Sequence, residues 1–83
     1  MYNIKFQGDF AYVYFSDDFY SQETIRQTLE IYKEFIEYQI SKLGRYIIVK
    51  VNLKDKDFKL EEILKELVNY VIANEYKKIN NNI

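Results

Sequence analysis

Asp55, Asp57 and Glu66 occupy the first, third and twelfth places of a stretch whose acid spacing is that of a calcium-binding loop. Such a loop needs glycine at its sixth place to turn sharply, and here that place is Leu60, the first of a series of apolar residues at helical spacing. A helix start rich in acids accounts for the same residues, because carboxylates near a helix N-terminus meet the positive end of its dipole. Asp17-Asp18 and Glu61-Glu62 are the other paired carboxylates that general acid/base chemistry could use. Each pair also stands where a helix begins, where acids serve as turn and first-turn residues.

The remaining chemistry is limited by residue types. The chain has no cysteine and no histidine, which removes thiolate nucleophiles, imidazole acid/base catalysis, disulfides and the usual zinc ligands. Its two glycines, Gly8 and Gly44, stand at turns, so no glycine-rich phosphate loop exists. The sequence therefore predicts a protein that is not an enzyme and carries no cofactor and no metal.

The residues left to carry a function are aromatic. FAYVYFSDDFYS, residues 10 to 21, holds six rings in twelve positions. Read as a strand, its first half sends Ala11, Val13 and Phe15 to one face and Tyr12 and Tyr14 to the other. Tyr46 and Ile48 stand in the same relation to Ile47, Val49, Val51 and Leu53 in YIIVKVNL, the most β-branched stretch of the chain. Tyr12, Tyr14, Tyr46 and Ile48 are thus the candidate partner-binding residues, on a sheet face that no helix covers, with Asn3, Lys5, Glu37, Gln39, Lys50 and Asn52 around them. An aromatic centre with a polar rim is a common construction for protein interfaces. Tyrosine also favours strands in its own right, and a small antiparallel sheet often leaves a few rings in water.

Elements must hold that face. Tyr2, Ile4 and Phe6 alternate with Asn3 and Lys5, giving a first strand over Met1 to Phe6 and, after Gly8-Asp9, a second over Phe10 to Phe15. Ser21 is a helix N-cap with Glu23 in the first turn, and Ile25, Leu29, Tyr32 and Ile36 follow at spacings of four, three and four. The first helix is expected from Gln22 to about Lys33 or Glu34. Period two returns from Phe35 to Lys42, Leu43-Gly44-Arg45 turns the chain, and YIIVKVNL is the central strand. A second amphipathic helix is expected from about Phe58 to Lys78, followed by a frayed tail over residues 79 to 83.

The order ββαββα, with right-handed crossovers, predicts a single α+β domain over residues 1 to 83: a four-stranded antiparallel sheet in the order 1-2-4-3 with two helices on one face. With 83 residues, such a domain buries roughly 60 to 65% of the surface its unfolded chain exposes. Hydrophobic residues at 48% and charged residues at 30% fit a folded globular chain. No apolar run reaches the roughly 18 residues of a membrane span and the N-terminus lacks the pattern of a signal peptide, so the expectation is a cytoplasmic protein with no membrane partner.

The stretch YFSDDFYSQETIRQTLEIYKEF resembles the small HxsD-type proteins of the His-Xaa-Ser peptide-maturation systems. The resemblance rests on a strand ending in an acidic turn, the helix start Tyr20, Ser21 and Glu23 followed by Ile25, the aromatic pair Tyr32 and Phe35, and Asn69 within ELVNYVI. It spans roughly residues 12 to 78 and departs from the family at Glu30 and Ile31, where small residues are expected. It implies an accessory protein that acts beside a radical-SAM enzyme on a ribosomally made peptide, binding the precursor peptide or the maturase. The iron–sulfur chemistry would then belong to the partner, in keeping with a chain that has no cysteine to ligate a cluster.

From the residues alone, two partners suit the sheet: an extended peptide, on the tyrosine face or added to an edge strand, Met1 to Phe6 or Phe35 to Lys42, or a second copy packed sheet to sheet on the tyrosine face as a structural homodimer. Single-stranded nucleic acid is disfavoured, because the net charge is −1 and Lys5 and Lys50 make only a thin basic groove beside the rings.

Overall fold

A computed structural model of the chain describes residues 2 to 81. The elements follow in the order β1 (Tyr2–Gln7), β2 (Phe10–Ser16), α1 (Gln22–Ile31), β3 (Ile36–Leu43), β4 (Tyr46–Leu53) and α2 (Leu60–Asn81). The strands form one antiparallel sheet in the order β1-β2-β4-β3. The α+β fold and topology expected from the sequence are those observed.

Two tight turns fix the strand registers. Gly8 and Gly44 are the residues with positive φ among those described, at 67° and 59°, and each is the first residue of a two-residue hairpin loop. Glycine at that position allows a turn whose twist matches the flanking strands, which a side chain would oppose. Gln7 therefore pairs with Phe10, and Leu43 with Tyr46.

The register puts Val13 opposite Val49, Ala11 opposite Val51 and Phe15 opposite Ile47, and all six are buried. They form one core with Ile25 and Leu29 of α1 and Leu64, Leu67, Val68 and Val71 of α2. Both helices therefore cover the same face of the sheet. Burial of each such side chain contributes about 1.5 to 3 kcal/mol, so this face supplies most of the driving force for folding.

The helix boundaries differ from those expected. α1 ends at Ile31, not at Lys33 or Glu34, because Ile36 is needed opposite Leu53 in the sheet and the chain tightens to reach it. The Tyr32 N–H turns back to the Leu29 carbonyl at 3.0 Å and the Phe35 N–H to the Tyr32 carbonyl at 2.8 Å, one residue short of α-helical bonding. α2 begins at Leu60, two residues later than expected. The Asp55 carboxylate accepts the Asp57 N–H at 3.0 Å, holding 55–58 in a turn, and the Phe58 ring packs edge-on against Phe35 with centroids 5.0 Å apart. At the other end α2 continues to Asn81; of the tail expected over 79–83, Asn82 and Ile83 lie outside the described residues, as does Met1.

A polar seam joins the two helices. Thr28 is fully buried, donates its hydroxyl to the Thr24 carbonyl at 2.9 Å and accepts a hydrogen bond from the Asn74 amide at 3.2 Å. Tyr32 donates its hydroxyl to Glu66 at 3.0 Å; burial, then that carboxylate, raise the phenol well above its ordinary value. Among the described residues no buried side-chain nitrogen or oxygen lacks a partner.

Candidate functional site: the helix-free sheet face

Strand alternation leaves the second face of the sheet to Tyr12 and Tyr14 from β2 and to Tyr46 and Ile48 from β4. The pairs Tyr14–Ile48 and Tyr12–Lys50 lie directly across the two central strands, and Tyr46 lies opposite Ser16. All four expected residues are therefore on one surface. Tyr12, Tyr14 and Ile48 are half-buried among their neighbours, whereas Tyr46 is 53% exposed.

The rings make an ordered row. Phe10 meets Tyr12 edge-on with centroids 5.6 Å apart, and Tyr12 meets Tyr14 at 6.4 Å with a tilt of 47°. Such pairs are worth about 0.5 to 1.5 kcal/mol beyond the area they bury. Phe10 has the same parity as Tyr12 and Tyr14, the signal that places it in this row. Phe19 is exposed beyond the end of β2 and lines a depression of about 280 Å³ with Tyr14 and Tyr46.

Two lysines lie over this row. The Lys50 ammonium sits 4.7 Å from the Phe10 ring centroid and the Lys5 ammonium 5.5 Å from that of Tyr14. Each charge is drawn to the negative ring face, so both contribute to aromatic packing. Glu37 and Gln39 complete the rim on β3, opposite Asn52 and Lys50.

The carboxylate pairs serve the fold. Asp17 reaches the Lys42 ammonium at 3.2 Å and Asp18 the Arg45 guanidinium at 3.5 Å, tying the turn before α1 to the β3–β4 hairpin. Glu61 and Glu62 are exposed on the first turn of α2. Asp55 and Asp57 form the turn described above and do not converge with Glu66. Among the described residues no three acidic side chains gather where they could hold a metal ion, and no helix is long and apolar enough to cross a membrane.

Comparison with protein-family models, with curated proteins and with solved structures finds no match to this chain.

Proposed function

We propose that the protein is a non-catalytic binding module whose helix-free sheet face receives an extended peptide. The observation that carries this reading is the continuous row Phe10, Tyr12, Tyr14 flanked by Tyr46 and Ile48, partly open to solvent and rimmed by Lys5, Lys50 and Glu37. Tyrosine offers a peptide a flat apolar surface and a hydroxyl that can meet its backbone, at little cost in side-chain entropy. The rim carries both signs of charge, which suits a peptide of mixed composition better than a polyanion.

The resemblance to HxsD-type proteins supports a narrower form of the reading. The peptide would be a ribosomally synthesised precursor, and the protein would act in the cytoplasm as an accessory to the radical-SAM maturase that modifies it. Titration of the precursor and of the maturase against the wild-type protein and a Tyr12→Ala/Tyr46→Ala variant tests both forms. The expected result is binding that weakens at least tenfold in the variant while its circular dichroism stays unchanged. Equal affinity for wild type and variant removes the face from the reading, and no binding of either partner removes the maturation role.

A further inference from the structure

We infer that β1 is a self-association edge, at which two copies pair antiparallel to give one eight-stranded sheet. The inference concerns the outer edge of β1, whose helix-facing side carries Tyr2, Ile4 and Phe6 and whose other side carries Asn3 and Lys5 at the rim of the tyrosine face, and its test reads self-association and not peptide binding.

The first observation is that β1 has a single lysine among the features by which edge strands are protected from pairing. It is six residues long with an unbroken register to β2, from Tyr2–Phe15 to Gln7–Phe10, and it has no proline. Its one charged side chain, Lys5, reaches inward over the Tyr14 ring on the neighbouring strand. The opposite edge is different. β3 carries Glu37 and Lys42, both exposed, and Lys42 is held in an ion pair with Asp17.

A second observation concerns the side chains on the helix-facing side of β1. Tyr2 and Phe6 flank the part-buried Ile4, yet remain 45% and 49% exposed, whereas Phe15 and Ala11, opposite them on β2, are fully buried. This is an apolar stripe on the covered side of the sheet, beside an unpaired backbone edge.

The hairpin fixes which backbone groups that edge presents. A two-residue loop is closed by a pair that exchanges both hydrogen bonds, here Gln7–Phe10, and the pattern then alternates along the strand. Lys5 and Asn3 bond inward to β2. Tyr2, Ile4 and Phe6 therefore direct their N–H and C=O groups outward.

The stripe is its own complement when read in reverse. With a twofold axis at Ile4, the Tyr2 of one copy stands opposite the second copy's Phe6, Ile4 opposite Ile4, and Asn3 opposite the second copy's Lys5. Every outward backbone group of Tyr2, Ile4 and Phe6 then has a partner. The exposed aromatic rings cover each other. Moving the axis to Lys5 would set two ammonium groups face to face, and moving it to Asn3 would leave Phe6 unpaired. Placing the axis between residues would set the outward-bonding residues of one copy opposite inward-bonding residues of the other, so no ladder of hydrogen bonds could form. Charge and side-chain pairing thus select one register and a second copy as the occupant.

An edge of this length buries less than a standard interface, so a dissociation constant on the order of a hundred micromolar is expected. Sedimentation of the full chain from low micromolar to about millimolar concentration measures it, together with two variants at one exposed position. Asn3→Lys sets a like charge against the second copy's Lys5 twice by symmetry and should weaken the dimer about fivefold, while Asn3→Glu should tighten it about fivefold. Dilute thermal melts establish that neither change alters the monomer fold. A chain that stays monomeric throughout overturns the inference, and so does a dimer whose affinity moves the same way, or not at all, in the two variants.

Discussion

Ser21, the N-cap of α1, gives its backbone N–H to one carboxylate oxygen of Glu75 at 2.7 Å, and its hydroxyl lies 2.9 Å from the same oxygen. The Ser21 hydroxyl also accepts the Thr24 N–H at 3.2 Å. In a capping box, the acid that reaches back to the N-cap N–H stands three residues into the same helix. Here that place is held by Thr24, and α2 supplies the carboxylate instead. The start of α1 is thereby fastened to the far end of α2.

Replacing Glu75 by Ala leaves the Ser21 N–H without its charged partner in a partly buried site. The expected loss is about 1 to 2 kcal/mol, in the range of a removed cap bonded to a charged group. Urea denaturation should show a lower midpoint with an unchanged slope, because the surface exposed on unfolding stays the same.

The same carboxyl gives stability a defined dependence on pH. Burial pushes Glu75 up, but the hydrogen bonds from Ser21 and Thr24 and the nearby Lys78 outweigh it and hold the group below its ordinary value of 4.5. A depressed folded value means that the unfolded chain takes up this proton first as pH falls. The contribution is therefore complete above about pH 4.5 and is lost as pH drops through the folded value. Urea titrations from about pH 7 to 3 should show wild type losing stability more steeply below pH 4.5 than Glu75→Gln. Parallel curves would remove Glu75 as a source of that acid lability.

The sheet was legible in the sequence because strand alternation is a local signal. The parity of Ala11, Val13 and Phe15, and of Ile47, Val49 and Val51, places the core face, and the handedness of crossovers then leaves few strand orders. Tyr12, Tyr14, Tyr46 and Ile48 follow as the residues of opposite parity, and Phe10 was available on the same grounds. The end of α1 was harder to read, since Tyr32, Phe35 and Ile36 are apolar and fit either a helix face or a strand. Only the need to pair Ile36 with Leu53 decides it. The Ser21–Glu75 link joins residues fifty-four positions apart and leaves no pattern in either local segment. The exposure of Tyr2 and Phe6 depends on what packs over the edge of a sheet, which periodicity along one strand does not encode.

The two hairpin glycines should behave as independent sites. At each, a Cβ would meet nothing within 4 Å, so Gly→Ala carries only the backbone cost of a side chain at positive φ. That cost is about 1 kcal/mol at each turn. Gly8 lies beside the Phe10–Asn52 end of the central strand pair and Gly44 beside the Ser16–Tyr46 end, so the two share no neighbours. Thermal or urea unfolding of Gly8→Ala, Gly44→Ala and the double variant should give losses that add within about 0.5 kcal/mol. A double variant that loses much more than the sum would mean that the turns are coupled through the sheet.

Phe15 and Tyr14 are adjacent in sequence and face opposite sides of β2, which separates what folds the chain from what it can offer a partner. Phe15 is fully buried with its ring edge-on to Tyr20, centroids 5.1 Å apart, and lies opposite Ile47. Truncating it removes that packing and leaves a cavity beneath both helices, at a cost of about 3 to 5 kcal/mol. That is a large share of the 5 to 15 kcal/mol typical of a folded domain. Tyr14 is half-buried between Tyr12 and Lys5, and its loss to Ala removes one ring pair and one cation–π contact, about 1 to 2 kcal/mol together. Urea denaturation of Phe15→Ala and Tyr14→Ala should therefore separate by at least about 1 kcal/mol, the gap between those ranges. Near-equal losses would mean that the helix-free face contributes to folding as much as the core does, and the tyrosines would then need no partner to account for them.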